Sequence, residues 1–343
     1  MTYWAPVPVS PRSVRVSDPI HRELSVDGVR LHLVEQGEGP AVLLCHGYPE
    51  CWYSWRHQLP ALAAAGYRAI ALDMRGYGES DSPPGIEDYT VLRLVGDLVG
   101  VLDALGIESA AVAGHDWGAV VAWHAALLRA DRFPAVIALS VPFIPRGQVS
   151  TSRKLPETEH EVFYQLYFQE PGVAEADYER DTRGYLRGLL FATSGDMPPP
   201  AEGEPPRRPG MVPRTGRLPY SGPAVLPAWL GEADVDVYTA AFARNGFRGP
   251  LNWYRNIERN WQTLAAFEGR KVEVPALYIA GERDPVLAFK GNSALLEAQA
   301  RWVPRLARTV RLPGCGHWTQ QERPAEVNRE MLAFLGEVGW GRG

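Results

Sequence analysis

Short, continuous apolar runs alternate with helical patterns along the first part of the chain. The apolar runs lie at residues 41–45, 68–72, 110–113 and 136–141. Runs of this length are typical of strands that are buried on both faces of a parallel sheet. Helical patterns at 52–65 and 90–105 separate them, and Gly106 is the predicted C-cap of the second helix. Its predicted apolar face consists of Leu92, Val95, Leu98, Leu102 and Leu105.

Two further patterns complete the predicted architecture. Alternating polar and apolar residues at 24–35, with Asp27-Gly28 between the two halves, predict an antiparallel hairpin. Late in the chain, strand and helix patterns alternate again, with strands at 276–280 and 309–312 and helices at 293–302 and 325–335. Together these elements predict an α/β protein with a mostly parallel central sheet flanked by helices.

The middle of the chain differs, because it is rich in aromatic residues and lacks strand–helix alternation. We therefore expect an N-terminal arm at 1–20, core at 21–144 and 266–343, and an inserted helical cap at 145–265. Within the cap, residues 196–227 contain ten prolines and predict a long surface loop. For the arginines of this loop, a solvated surface is favoured over an anion site. They are Arg207, Arg208, Arg214 and Arg217.

Composition narrows the class of protein. Apolar residues form 45% of the 343 residues, which is enough for a sizeable core, and the net charge of -5 argues against nucleic acid or an anionic membrane as partner. Cys45, Cys51 and Cys315 do not form a disulfide framework and favour a cytoplasmic location. We expect neither a secretory signal nor a membrane span. The oligomeric state is left open, and a homodimer is among the states allowed.

The predicted strand at 110–113 runs directly into Gly114-His115-Asp116-Trp117-Gly118-Ala119 and then into an apolar helix. This is the pattern of a nucleophile elbow, with aspartate where serine is usual. A carboxylate is already ionised at neutral pH, so it can displace a leaving group at a saturated carbon and form an ester. The alternative is that Asp116 only caps the helix, but the surrounding glycines favour the nucleophile.

An elbow enzyme needs an acid and a histidine later in the chain. His317 follows the last predicted strand, and Asp284 follows the strand before it, so both are expected at the same sheet edge as Asp116. His317 would activate water, and Asp284 would orient the imidazole and stabilise its cation. Glu282 is the rival for the role of the acid.

The loop after the strand at 41–45 is a candidate half of an oxyanion hole. In an elbow enzyme, one backbone N–H comes from such a loop and one from the residue after the nucleophile, which here are Tyr48 and Trp117. The alternative is a simple tight turn. The sequence contains no HExxH, paired CxxC, GxxxxGK(S/T) or GxGxxG, so we expect no metal and no cofactor.

Several motifs resemble the epoxide hydrolases of the α/β-hydrolase fold, particularly the soluble branch. They are HGYPE at 46–50, DMRGYGES at 73–80, YQLYFQEPGVAEA at 164–176, GFRGPLNWYRNIERNW at 246–261 and CGHWTQ at 315–320, besides the elbow. The resemblance implies that Tyr164 and Tyr254 donate hydrogen bonds to the epoxide oxygen and that the product is a vicinal diol. The residues alone do not distinguish this pair from Tyr167 and Tyr238.

The cap aromatics suggest an apolar tunnel for an aryl or alkyl epoxide, with Phe168, Trp253 and Trp318 as candidate substrate-binding residues. Detoxification and secondary metabolism would leave the same motifs. Two alternatives are a haloalkane dehalogenase, which shares the aspartate elbow, and a non-catalytic receptor with this fold. The dehalogenase needs halide donors and no cap tyrosines, and the receptor would be expected to lack a member of the triad.

Overall fold

The structure is a computed structural model that describes residues 18–204, 207–216 and 222–341. Most of the predicted N-terminal arm and Arg217 therefore lie outside the described residues. The strands are β1 (Ile20–Val26), β2 (Val29–Gln36), β3 (Ala41–Cys45), β4 (Arg68–Leu72), β5 (Ala111–His115), β6 (Val136–Leu139), β7 (Glu161–Phe163), β8 (Met211–Pro213), β9 (Ala276–Gly281) and β10 (Leu306–Leu312).

Eight of these strands form one sheet in the order β1-β2-β4-β3-β5-β6-β9-β10. Every pairing from β4 to β10 is parallel, whereas β1–β2 and β2–β4 are antiparallel. The predicted hairpin is confirmed: Val26 pairs with Val29, and Asp27 and Gly28 both have positive φ, as a tight hairpin turn requires. Because β3, β5 and β6 lie inside the sheet, both of their faces are buried, which explains their continuous apolar sequences.

Helices flank the sheet and fill the segment between β6 and β9. They are α1 (Gln58–Ala64), α2 (Val91–Ala104), α3 (Trp117–Leu128), α4 (Tyr164–Tyr167), α5 (Val173–Tyr178), α6 (Thr182–Ala192), α7 (Glu232–Asn245), α8 (Arg248–Arg255), α9 (Ile257–Thr263), α10 (Asn292–Glu297), α11 (Gln299–Trp302), α12 (Thr319–Glu322) and α13 (Pro324–Glu337). Among the described residues, no helix is long and apolar enough to cross a membrane.

Helix α2 shows how closely a periodic pattern can predict an element. It begins after Thr90, whose side chain accepts a hydrogen bond from the Arg93 backbone N–H, and it ends before Gly106, which has a φ of 66°. One predicted core position is wrong, because Leu92 is exposed. Leu94, two residues further along the helix, is fully buried instead.

Three other predictions need correction. The proline-rich region at 196–227 contains β8, which pairs antiparallel with β7 in a separate two-stranded sheet. Both strands of such a sheet are edge strands, where a proline such as Pro213 is tolerated. The helix predicted at 293–302 is divided into α10 and α11 at Ala298. The first helical pattern begins with a 3-10 turn at Trp52–Trp55, and the α-helix starts only at Gln58.

Candidate active site

The nucleophile elbow is built at the junction of β5 and α3. Asp116 has φ 53° and ψ -120°, a strained conformation for a residue with a side chain. A Cβ on Gly114 would lie 2.0 Å from the carbonyl oxygen of Gly118, and one on Gly118 would lie 2.0 Å from that of Cys45. Glycine is therefore needed at both positions. The Asp116 side chain makes no N-cap hydrogen bond to α3, so the capping alternative fails.

Two backbone donors face the Asp116 carboxylate. The Tyr48 N–H donates to Oδ1 at 2.9 Å, and the Trp117 N–H, at the start of α3, lowers the pKa of the carboxylate. A Cβ on Gly47 would lie 2.4 Å from the same Oδ1, so only glycine lets the β3 loop approach this closely. Burial raises the pKa of Asp116, and the two N–H groups and the neighbouring histidines only partly offset this effect.

His317 lies between two carboxylates. Its Nδ1 is 3.1 Å from Asp284 Oδ1, and its Nε2 is 3.7 Å from Asp116 Oδ2. Burial alone would lower the pKa of His317, but the negative charges of Asp284 and Asp116 raise it to about 9. Burial would raise the pKa of Asp284, but His317 holds it below its usual value. Glu282, the rival acid, is exposed and has no described contact with His317.

Ser140, which lies directly after β6, was not predicted from the sequence as a residue of the site. Its Oγ is 3.0 Å from His317 Nδ1, and its φ of 70° turns the chain towards the imidazole. The Tyr278 hydroxyl donates to the Ser140 carbonyl at 2.6 Å and holds this bend. A serine with positive φ is visible only in the backbone geometry, so no sequence pattern could have identified it.

A second group that sequence reasoning missed lies beneath the site. Glu50 is fully buried, and its carboxylate is 2.7 Å from Nδ1 of His115. The same carboxylate accepts hydrogen bonds from the side-chain amides of Gln320 and Gln321, each at 2.9 Å. His115 Nε2 is 2.8 Å from the carbonyl oxygen of His317. This network connects the loop after β3, the elbow and the loop at 313–318 that carries His317, called the histidine loop below.

The cap brings Tyr164 and Tyr254 together opposite Asp116. Their ring centroids are 5.7 Å apart, and both side chains line the same cavity as Asp116 and His317. Burial, followed by the negative charge of Asp116, raises the pKa of both phenols well above the usual value. Both groups are therefore protonated at neutral pH and able to donate. Tyr167 contacts Asp177, and Tyr238 donates to Gln321, so neither rival tyrosine lines this cavity.

The cavity has a volume of about 580 Å³. Of the three candidate substrate-binding residues, Phe168 and Trp318 line it and Trp253 does not. Trp253 is fully buried behind the wall, where its indole N–H donates to the Arg75 carbonyl at 3.1 Å and its ring packs edge-on against Trp117. Periodicity places Trp253 on an apolar face but cannot decide whether that face meets core or cavity.

Two arginines of the proline-rich region line this cavity, and each has a hydrogen-bond or ion-pair partner within the protein. Arg208 forms an ion pair with Glu161 at 2.9 Å, and Arg207 donates to the Pro198 carbonyl at 2.6 Å. Arg214 forms an ion pair with Glu157 at 2.7 Å. The described arginines of the loop are therefore largely occupied by local partners.

These features define the class of protein. Residues 40–185 match the family model described as the alpha/beta hydrolase fold. The elbow, the histidine after β10 and the acid after β9 occupy the carboxyl edge of a sheet with the corresponding topology.

Named relatives identify the group within this class. The chain is 48% identical over 323 residues to Epoxide hydrolase A of Mycobacterium tuberculosis, a match that covers 92% of this chain and 97% of that protein. It is 42% identical over 331 residues to Bifunctional epoxide hydrolase 2 of Rattus norvegicus, which covers 96% of this chain and 57% of the rat protein. A solved epoxide hydrolase from an endophytic Streptomyces superposes with a TM-score of 0.88 at 48% identity, covering 93% of this chain and 96% of that one. The chain belongs to the epoxide hydrolases of the α/β-hydrolase fold.

Proposed function

We propose that the chain converts an apolar epoxide into a vicinal diol in two steps, with Asp116 as nucleophile and His317 as the base of the second step. One observation supports this assignment above all others. The Asp116 carboxylate lies between the His317 imidazole and the Tyr48 N–H, in a cavity whose cap side presents two phenols. Attack, charge stabilisation and hydrolysis each have a group within reach.

Ring opening uses the two cap tyrosines. Oδ1 of Asp116 is held by the Tyr48 N–H, so Oδ2 is the oxygen that attacks an epoxide carbon. The carbon–oxygen bond of the ring breaks, and the departing oxygen takes a hydrogen bond and then a proton from Tyr164 or Tyr254. An alkoxide is a poor leaving group in a dry cavity without such donors. The product of this step is an alkyl ester on Asp116.

Ester hydrolysis uses the opposite side of the site. His317 removes a proton from water, the hydroxide attacks the ester carbonyl carbon, and the resulting oxyanion lies against the N–H groups of Tyr48 and Trp117. When the tetrahedral intermediate collapses, the carbon–oxygen bond to the substrate breaks and the proton of the newly added hydroxyl passes to the departing alkoxide. The diol is released, and the Asp116 carboxylate is restored. Asp284 keeps the imidazole oriented and stabilises its cation.

Ester formation also changes the protonation of the base. With a pKa of about 9, His317 is a cation in the resting enzyme at neutral pH. The negative charge of Asp116 contributes to that raised pKa, and alkylation removes the charge. We infer that the pKa of His317 falls when the ester forms, so that the imidazolium loses its proton and the phenolate left by ring opening regains one. The neutral imidazole is therefore available as a base only when there is an ester to hydrolyse.

The cavity wall supports an apolar aryl or alkyl epoxide as substrate. Its apolar lining includes Phe168, Leu189, Leu287, Phe289 and Trp318. We also propose that the protein works in a reducing, cytoplasmic compartment, because its three cysteines are buried free thiols.

The test of the base is a His317→Gln variant incubated with styrene oxide. The ester should form and persist, giving an intact-mass increase equal to the mass of the epoxide, because hydrolysis slows by about a hundredfold to ten-thousandfold without the general base. His160→Gln, at an exposed histidine of the cap, is the matched control and should show no adduct. A His317→Gln variant that turns over at the wild-type rate would remove His317 from the mechanism.

A further inference from the structure

Glu322 is a buried carboxylate that the mechanism above does not use. It is the last residue of α12, and its side chain accepts hydrogen bonds from backbone N–H groups on both sides of His317. Oε2 accepts from Gly316 at 2.8 Å, and Oε1 accepts from Trp318 at 3.0 Å. One carboxylate therefore fixes the backbone immediately before and immediately after the proposed base.

The same carboxylate also holds the cap. Oε2 of Glu322 accepts a third hydrogen bond, from the backbone N–H of Gly195 at 2.9 Å, just beyond the end of α6. Gly195 and Gly316 touch backbone to backbone, since a Cβ on Gly316 would lie 2.2 Å from the Gly195 nitrogen. Glu322 therefore lies where the cap and the histidine loop meet.

Other hydrogen bonds also join the cap to the histidine loop and the neighbouring Arg283; this boundary, where Gly195 meets Gly316, is called the seam below. The His317 N–H donates to the Thr193 carbonyl at 2.9 Å, and the Trp318 indole donates to the Leu190 carbonyl at 2.7 Å. Arg283, next to Asp284, donates to the carbonyls of Gly195 and Met197. The position of the histidine loop is therefore coupled to the cap, and Glu322 is the group that both share.

We propose that Glu322 is a positioning residue for the hydrolytic half-reaction, which sets the His317 imidazole against the Asp116 ester by clamping the histidine loop to the cap segment at Gly195. This proposal rests on the assignment of His317 as the base. It assigns Glu322 no contact with substrate.

The consequence is a difference between the two chemical steps. Ring opening requires Asp116 and the cap phenols, whereas hydrolysis requires His317 to hold a water against the ester carbon. A shift of about 1 Å in a catalytic group can cost on the order of a hundredfold in rate. Loosening the histidine loop should therefore slow hydrolysis much more than ring opening.

Glu322→Gln tests this split, because it preserves shape but presents an amide N–H where a carboxylate oxygen accepted. In single turnover with styrene oxide, intact mass measured after rapid quenching gives the rates at which the ester forms and decays. We expect decay to slow by about tenfold to a hundredfold and formation to change by less than about threefold. Glu326→Gln, at a half-buried acid on the neighbouring α13, is the matched control and should match the wild type.

An unchanged decay rate in folded Glu322→Gln would overturn the proposal, and so would an equal slowing of both steps, which indicates a general loss of structure. If that variant does not fold, Glu322→Asp keeps the charge but shortens the reach to the three N–H groups. Slower decay with normal formation in this variant supports the clamp, and wild-type decay overturns it. His317→Gln in the same experiment separates the two proposals, since normal decay there removes the base itself.

Discussion

At the scale of single residues, the site combines two opposite shifts in pKa. Burial leaves the Asp116 carboxylate poorly solvated, which raises its pKa and makes it a better nucleophile than a surface aspartate. Two carboxylates raise the pKa of His317 to about 9, against the lowering effect of burial. The charges of these two groups therefore depend on each other, which couples the first chemical step to the second.

This coupling can be measured with Asp116→Asn, which has the neutral charge of the ester and nearly the same shape. Removing the negative charge should lower the pKa of His317 by about one unit or more, as expected for losing an opposite charge at this distance. An NMR titration of the His317 imidazole reports the value directly. Asp131→Asn, at an exposed acid, is the control. An identical His317 pKa in wild type and Asp116→Asn would refute the proposed activation of the base.

The two cap phenols give a second residue-scale prediction. A hydrogen bond to a charged oxygen contributes about 1.5–3 kcal/mol, so Tyr164→Phe or Tyr254→Phe alone should slow ester formation about tenfold to a hundredfold. The double variant should lose about a thousandfold or more, because no donor then reaches the alkoxide. Quenched single-turnover assays measure this rate. Tyr167→Phe should be normal, and a double variant with wild-type ester formation would return both phenols to a packing role.

At the scale of elements, a strand or turn could be predicted from the sequence where its conformation depends on nearby residues, and could not where it depends on a partner distant in sequence. Strand β5 and its glycine-flanked turn were predictable because the elbow is a local pattern with its own steric requirement. The hairpin turn at Asp27 and Gly28 is local in the same way. Strand β8 was not predictable, because three residues in a proline-rich segment become a strand only when β7 is alongside.

The residues of the site differ in the same way in whether they could be predicted from the sequence. Asp116, Asp284 and His317 each follow a strand, in the chain order that is known for elbow enzymes. Their common position at one edge of the sheet could therefore be predicted from the sequence alone. Tyr164 and Tyr254 required a resemblance to a family, since fourteen tyrosines offer no local signal. Ser140 and Glu322 were missed because their roles arise from tertiary contacts with loops far away in sequence.

At the scale of the whole molecule, the core and the segment between β6 and β9 each supply part of the candidate site. The sheet edge presents Asp116 and His317, the proposed nucleophile and base, and the inserted segment presents Tyr164, Tyr254 and part of the cavity wall. The seam at Gly195 and Gly316 joins the two halves next to the base. A reaction in this cavity of about 580 Å³ therefore depends on how the core and the inserted segment are held together.

The proposed mechanism requires a carboxylate of the protein to bond to the substrate, and single turnover in heavy-oxygen water shows whether it does. Water attacks the ester carbon, so the heavy oxygen should appear in the peptide that contains Asp116, and the first diol formed should be unlabelled. Mass spectrometry of both products gives the answer. Heavy oxygen in the first diol, with an unlabelled Asp116 peptide, would mean that water attacks the epoxide directly and that no ester forms on Asp116.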